Sequence, residues 1–374
     1  MITILADDLT SALDGAAPFA ARGMSARVML KLPKTMPDDV DVLSFDLDSR
    51  FLSGMDAKER FIAAGKCVRN ASLIYKTVDS TLRGNPGFEV AGLMEGAGRG
   101  RAIVAPAFPD AGRTTVLGYQ YVNNIPLELT EFAHDPRTPV ATGDVACRME
   151  GLEHHQFTVF DAVSREEMEN VVTATGLEAP VIWVGSPGIA AALACALPAR
   201  RSDVYAMAPV SKVLVVIGSL HPANQQQLDT LLHEGASAIF ADEKSEVEGI
   251  ALQIDQAFLK NSVVCLVSSR SPVVTESGDF SPAEFLGRVV SASANSYNAL
   301  VVTGGDTARR VVDALDAVSM DLIGEAEPGV PFGILNLPEK SLLFATKAGG
   351  FGLAGTLLKC ATILLSEEKE MPDD

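Results

Sequence analysis

Residues 73–85 read Leu73-Ile-Tyr-Lys-Thr-Val-Asp79-Ser-Thr-Leu-Arg83-Gly-Asn85, an apolar run that breaks abruptly into polar chemistry. The run Leu73–Tyr75 has the character of a short buried strand, so the polar segment is expected to begin where that strand ends. Lys76 and Arg83 can bind an anion. Asp79, Ser80 and Thr81 can hydrogen-bond hydroxyls, and Gly84 lets a backbone approach closely. Open α/β sheets gather their ligands at the carboxyl ends of strands. A small polyhydroxylated acid is the ligand that such a set suits.

Working outward, the same grammar repeats. Strands are expected at 2–6, 42–45, 73–75, 102–105, 181–184, 213–217, 263–267, 300–303 and 342–345, with helical patterns at 11–22, 57–70, 223–234, 282–294 and 307–317 between them. Strand–helix alternation of this kind predicts an α/β chain of two doubly wound, mainly parallel-sheet domains with a cleft between them. The stretch Leu197–Lys212 breaks the pattern with two prolines and a basic pair, which places the boundary between a domain at 1–205 and one at 206–374. Residues 113–145 are poor in helix pattern and rich in Gly, Pro and Asn, so loops or an antiparallel excursion are expected there. The acidic end, Glu367–Asp374, reads as frayed.

Composition narrows the function classes. The 374 residues are 47% hydrophobic, enough for sizeable cores, and carry a formal net charge of −18. That charge excludes sequence-independent nucleic-acid binding, which needs a basic surface. It leaves room for an anionic ligand, because a pocket can be positive on an acidic protein. Five scattered cysteines without CxxC spacing read as reduced thiols, neither a disulfide frame nor a metal site. No apolar stretch approaches the roughly 20 residues of a membrane span, and the first residues lack a basic leader region, so a cytoplasmic protein with no membrane partner is expected.

Other strand ends add candidates. Asp7-Asp8-Leu-Thr10-Ser11 follows the first strand, where two adjacent carboxylates repel; Asp7, Asp8 or Thr10 can cap the next helix, or a carboxylate can accept substrate hydroxyls. Arg50, after the second strand expected, joins Lys76 and Arg83 as cations that can converge on one carboxylate, a task suited to a guanidinium fork. Arg113, in Ala105-Pro-Ala-Phe-Pro-Asp-Ala-Gly-Arg-Thr-Thr115, either reaches the cleft or belongs to a structural loop.

In the second half, Gly218-Ser219, Gly304-Gly305-Asp306-Thr307 and Lys347-Ala-Gly349-Gly350 each join a strand to a helix. Glycine turns of this type can hold phosphates on backbone N–H groups and a helix dipole. Asp306 and Thr307 can cap the helix, or assist Mg²⁺ or an attacking hydroxyl. Neither GxxxxGK[ST] nor a G-x-G-x-x-G after the domain's first strand is present. The pair His154-His155 has no helical ligand spacing and reads as surface, and His221 either touches a nucleotide or has no role.

The segments Ala6-Asp-Asp-Leu-Thr-Ser-Ala-Leu-Asp14, Asp79-Ser-Thr-Leu-Arg-Gly-Asn85, Ala105-Pro-Ala-Phe-Pro-x-Ala-Gly-Arg-Thr114, Gly304-Gly-Asp-Thr-Ala308 and Lys347-x-Gly-Gly-Phe-Gly352 together resemble the four-carbon acid sugar kinase family, in that family's order and over nearly the whole chain. The resemblance implies an N-terminal acid-sugar-binding domain, a C-terminal nucleotide-binding domain, and ATP-dependent phosphorylation of the terminal hydroxyl of threonate, erythronate or a 3-oxo form. It implies acid-sugar contacts at Asp7, Asp8, Arg50 and the loop Asp79-Ser80-Thr81-Leu82-Arg83. It implies ATP contacts at Ser219, Gly304, Gly305, Asp306, Thr307, Gly349 and Gly350. Lys76 is expected to help hold the acid and Lys347 the phosphates, with Mg²⁺ as cofactor and Asp306 or Asp8 orienting or deprotonating the hydroxyl. Ser11 stands where the family often has Gly, and Gly218-Ser-Leu-His-Pro-Ala-Asn224 departs from its Gly-Ser-x-Ser-x-x-Thr. A sensor that binds the acid without turnover is the alternative, and a nicotinamide-dependent dehydrogenase is disfavoured by the missing glycine fingerprint. Oligomeric state stays open, a homo-oligomer among the options.

Overall fold

The computed structural model describes residues 1–33, 36–135, 137–153, 156–200, 209–218, 221–269 and 281–365. Contacts divide the chain into two units, Met1–Asp203 and Val204–Asp374. The boundary expected at 205/206 and the acidic tail both lie outside the described residues, as do His154, His155 and Ser219.

Unit 1 alternates strands and helices from its first residues. They run β1 (Ile2–Ala6), α1 (Leu9–Ala20), β2 (Ala26–Met29), β3 (Val42–Asp46), α2 (Gly54–Val68), β4 (Leu73–Thr77), α3 (Pro86–Ala97) and β5 (Ala102–Ala105). A three-stranded antiparallel sheet follows, β6 (Arg113–Val116), β7 (Tyr119–Val122) and β8 (Ile125–Pro126), which is the excursion expected at 113–145. Then come α4 (Val145–Arg148), β9 (Phe157–Val159), α5 (Arg165–Thr175), β10 (Ile182–Gly185) and α6 (Pro187–Cys195). The main sheet has the order β2-β3-β1-β4-β10-β5-β9, every neighbouring pair parallel. β1, β3 and β4 are buried along their whole length, which is why they read as unbroken apolar runs with little alternation. Phe45, Phe61, Ile74, Leu93 and Ile182 anchor the core on one face.

The sheet order reverses at β1. The chain fills one side through β2 and β3, then crosses to β4 on the other. Loops after β3, β1 and β4 thus leave neighbouring strand ends at a topological switch point, where doubly wound sheets take their ligands.

Unit 2 repeats the design with β11 (Val213–Ile217), α7 (Pro222–His233), β12 (Ser237–Ala241), α8 (Val247–Ala257), β13 (Val263–Ser268), α9 (Pro282–Ala292), β14 (Ala299–Thr303), α10 (Gly305–Ala314), β15 (Ser319–Glu325), β16 (Pro331–Asn336), β17 (Ser341–Lys347) and α11 (Thr356–Leu364). Its order is β12-β13-β11-β14-β17-β16-β15, parallel except for the hairpin strands β15 and β16. Here the reversal falls at β11, so the turns after β11, β14 and β17 share one edge. No helix among the described residues is long and apolar enough to cross a membrane.

Candidate functional site

Arg50 is the centre of the unit 1 constellation. It sits four residues beyond β3, and its backbone N–H, with that of Ser49, donates to the Asp7 carbonyl, tying the β3 loop to the end of β1. Its Nε and Nη2 grip Asp7 at 2.7 and 3.2 Å, and Nη2 also donates to Ser11 Oγ at 3.0 Å. Nη1 pairs with Asp8 and lies 3.7 Å from Asp79 Oδ2. One guanidinium therefore collects carboxylates from the ends of β1 and β4.

The charges settle unequally around it. Burial pushes the Asp7 carboxyl up, but Arg50, aided by Lys76, outweighs it and holds Asp7 below the usual range. Asp8 goes the other way, raised by burial and by the neighbouring Asp7 charge against the pull of Arg50. Asp8 is also the helix cap anticipated at this turn: its Oδ1 accepts the Ser11 N–H at 2.7 Å.

The Asp79–Arg83 loop is held from several sides. Asp79 Oδ1 accepts from Thr81 N–H and Oγ1 at 2.7 and 2.6 Å, and Oδ2 takes Arg83 Nε at 2.6 Å and Nη2 at 2.5 Å. Burial raises Asp79, yet Arg83, Arg50 and Thr81 together bring it far below the usual carboxylate range. Arg83 continues to Asp135 at 3.3 Å. Leu82 is fully buried with φ +56°, a left-handed conformation that a branched side chain seldom adopts. Arg148 from α4 holds it there, donating to the Leu82 carbonyl at 3.0 Å and to the Gly84 carbonyl at 2.8 Å. Gln120 from β7 fixes the Ser80 carbonyl at 2.8 Å. Ser80 and Arg83 remain partly accessible.

One expectation is corrected. β4 runs on to Thr77, past the expected end at Tyr75, so Lys76 is a core residue with no exposed surface. Its ammonium pairs with Glu89 of α3 at 2.9 Å, beneath the Phe61 ring and beside the Thr77 carbonyl at 2.6 Å. Glu89 also accepts from Ser49 Oγ at 2.6 Å, so this pair underpins the Arg50 loop from below. Sequence reading missed Glu89, Gln120 and Arg148; the one local signal was Glu89, a carboxylate in a mainly apolar helix α3 whose other charged residue, Glu95, is exposed.

In unit 2, Gly304 is the N-cap of α10 with φ +94° and no side-chain cap, so neither Asp306 nor Thr307 fills that role. The first-turn N–H groups of α10 keep no side-chain acceptor from the cap, which is the arrangement that suits an anion. Gly304 N–H donates to the Lys347 carbonyl at 3.0 Å, linking the turns after β14 and β17. At Gly218, a Cβ would lie 2.0 Å from Thr307 Oγ1, so only glycine lets the β11 turn lie on the first turn of α10. His221, the N-cap of α7, accepts the Ala223 N–H on Nδ1 and turns its Nε2 edge toward Gly350. The glycine turns containing Gly218, Gly304–Gly305 and Gly349–Gly350 thus converge. Asp306 is half-exposed, 3.8 Å from Arg310.

Lys347 closes β17 with no exposed surface. Its Nζ donates to Asn224 Oδ1 at 2.8 Å and to the Ala348 and Gly349 carbonyls at 3.2 and 3.3 Å, so it shapes the glycine turn. Burial lowers its pKa from 10.5 to about 8, against weak support from Cys360 and Glu327. At this group the unfolded chain therefore binds the more protons between pH 8 and 10.5, and its contribution to stability rises with pH across that window by up to about 3 kcal/mol. The difference in urea midpoint between wild type and Lys347→Met should grow in favour of the wild type from pH 8 to pH 10, since the buried Cys265 and Cys360 thiols, pushed up to about 12, act in the opposite sense in both. A difference that stays constant would assign the lowered value to another group.

Comparison with known proteins follows this division. A model described as a sugar-binding N-terminal domain matches residues 2–151, and one described as a nucleotide-binding C-terminal domain matches residues 214–357. A D-threonate kinase of Cupriavidus necator is 32% identical, covering 95% of each chain. A D-threonate kinase of Salmonella typhimurium is 29% identical over 98% of each. The chain belongs to the four-carbon acid sugar kinase family. It is a carbohydrate kinase. A D-erythronate kinase of Heliobacterium modesticaldum shares 25% identity over 98% of this chain and 97% of its own. The kinase shares its fold with a Salmonella typhimurium protein described as a putative tRNA synthase (TM-score 0.81, 21% identity, 96% and 98% coverage) and with a Haemophilus influenzae protein (TM-score 0.73, 20%, 97% and 100%).

Proposed function

We propose that the protein transfers the γ-phosphoryl group of ATP to the terminal hydroxyl of a four-carbon sugar acid, with D-threonate the favoured substrate. The relatives named D-threonate kinase share 29–32% identity, whereas those named for D-erythronate or 3-oxo-tetronate share 24–26%. The observation that carries the reading is the gathering of Asp7, Asp8, Asp79 and Arg83 around Arg50 at three adjacent strand ends. Aspartates fixed in this way accept hydroxyl protons from a polyol without rearranging. In this reading Asp8, Asp79, Ser80 and Arg83 meet the acid's hydroxyls, Thr81 and Leu82 shape the loop, and Lys76 acts from beneath it.

The nucleotide half of the reading rests on the glycine turns of unit 2. N–H groups of Gly305, Asp306 and Thr307 at the start of α10, with the Gly349–Gly350 turn, would take the phosphates, and Ser219 is proposed beside them. Lys347 would add charge through the turn that it supports. Mg²⁺ fits as an ion that arrives with the nucleotide: among the described residues no group of three His, Cys, Asp or Glu side chains can hold a metal, and Asp306 offers one carboxylate beside the proposed phosphates. Bound there, the ion would neutralise phosphate charge. The substrate oxygen bonds to phosphorus as the bond to the ADP oxygen breaks, and the hydroxyl proton passes to a carboxylate, Asp306 or Asp8.

The test is ADP release with Mg·ATP against D- and L-threonate, D- and L-erythronate and their 3-oxo forms. Turnover on D-threonate, above that on the others, is the expected result. Silence across the panel, with thermal stabilisation by an acid but not by ATP, would replace the kinase reading with that of a sugar-acid sensor.

A further inference from the structure

The cations around the unit 1 site have their partners, Arg148 in two carbonyls and three others in carboxylates, but Arg113 does not. Arg50 is held by Asp7 and Asp8, Lys76 by Glu89, and Arg83 by Asp79 and Asp135. Five carboxylates thus face three cations, a balance that repels an anionic ligand. Arg113, the first residue of β6, makes no ion pair among the described residues. Its Nη1 donates to the Ala111 carbonyl, and its Nε is buried without a hydrogen-bond partner. A buried guanidinium donor left unmatched is costly unless a ligand completes it.

Strand geometry shows which way Arg113 faces. Side chains two apart on a strand share a face, so Arg113 lies on the same face of β6 as Thr115. Thr115 Oγ1 donates to Gln120 Oε1 at 2.7 Å, and Gln120 Nε2 donates to the Ser80 carbonyl at 2.8 Å. That face is the one turned to the Asp79–Arg83 loop. Consistent with this, burial first, and then repulsion by Arg83, depress the Arg113 pKa, while Asp79 is the carboxylate that most supports it.

We infer that Arg113 takes the carboxylate of the acid substrate, while Arg50 and Arg83, already engaged by aspartates, orient those aspartates toward its hydroxyls. The inference rests on the reading of unit 1 as the acid-sugar site. It moves the carboxylate contact from the three expected cations to a fourth, and it explains how a pocket lined by aspartates accepts an anion. A guanidinium fork with donors to spare suits a planar carboxylate. Discrimination between the acid and a neutral polyol of the same shape then resides in this one side chain.

The experiment compares kcat/KM for D-threonate with that for its carboxamide in the wild type, Arg113→Met and Arg113→Lys. Arg113→Met should lose roughly 10- to 100-fold on the acid, mainly through KM, the range expected when a charged hydrogen bond is removed. Its value for the carboxamide and its KM for ATP should change less than about threefold, and Arg113→Lys should recover part of the acid preference. An unchanged KM for the acid, or equal losses on acid and carboxamide, overturns the assignment and leaves the kinase reading standing. A wild type that phosphorylates none of the four-carbon acids overturns the kinase reading and this assignment with it.

Discussion

Arg50→Met is expected to abolish phosphorylation of the acid and to destabilise the protein by about 3–5 kcal/mol, the range for removing one partner of a buried ion pair. The reason lies in what the side chain leaves behind. Asp7 and Asp79 are almost wholly buried, and with Asp8 they would share one site with its central cation gone. A compensating proton is then the least costly remedy, which gives the variant a pH signature different from that of the wild type. In the wild type, the lowered Asp7 and Asp79 values contribute stability above the unfolded carboxylate pKa near 4, lost as pH falls through the folded values. In Arg50→Met, Asp7 loses its main support and titrates above its unfolded value, whereas Asp79 keeps Arg83; the Asp7 contribution is then present at low pH and lost as pH rises past about 4. Urea midpoints should therefore fall more steeply with rising pH in the variant than in the wild type, where Asp8 already acts in that direction. Adding Asp7→Asn should restore part of the stability but none of the activity. Parallel pH profiles for variant and wild type would show that Arg50 is not what holds Asp7 ionised.

The same residues show what a sequence discloses. β1, β5 and β11 are legible to the residue because each is a short apolar run buried along its length and broken at its carboxyl end by Asp7, Pro106 or Gly218. The continuation of β4 through Lys76 is not, because the carboxylate that lets a lysine lie in the core comes from α3, 13 residues further on. Helix α3 itself hides behind its glycines. A Cβ at Gly92 would meet the Lys58 carbonyl at 2.3 Å, and one at Gly96 the Ile62 carbonyl at 2.3 Å, so α2 and α3 meet backbone to backbone. Such glycines weaken the local helix signal for the sake of a contact that only the fold reveals.

The candidate site divides in the same way. Asp7, Asp8, Arg50 and the Asp79–Arg83 loop stand out because charge gathers after apolar runs. Gln120 and Arg148 do not, because their task is to bind backbone carbonyls of a loop 40 or more residues away. The sequence leaves Arg113 between the cleft and a structural loop. What sets it apart is a buried donor without a partner beside cations that each have one, and that is a property of the assembled site.

Asp306→Asn is expected to lower kcat by roughly 10²–10³, the usual contribution of a positioned acid–base group, with the KM for the acid nearly unchanged. Both candidate carboxylates were open from sequence, and their surroundings now differ. Asp8 is engaged on both oxygens, by the Ser11 N–H and by Arg50, and it anchors α1. Asp8→Asn should therefore raise the KM for the acid and reduce stability together. Asp306 is not the N-cap of α10, stands half-exposed in its first turn, and has Arg310 at 3.8 Å on the following turn. Its loss removes a favourable charge from a helix N-terminus, worth about 0.3–1 kcal/mol, so the fold should survive. The variant also separates two ways in which Asp306 can act. If Asp306 is the base, the loss in kcat should persist at saturating Mg²⁺. If it is a partner of the metal, the variant should need more Mg²⁺ for half-maximal rate and recover at saturation. Near-normal turnover at ordinary Mg²⁺ would exclude both roles and return the proton transfer to Asp8.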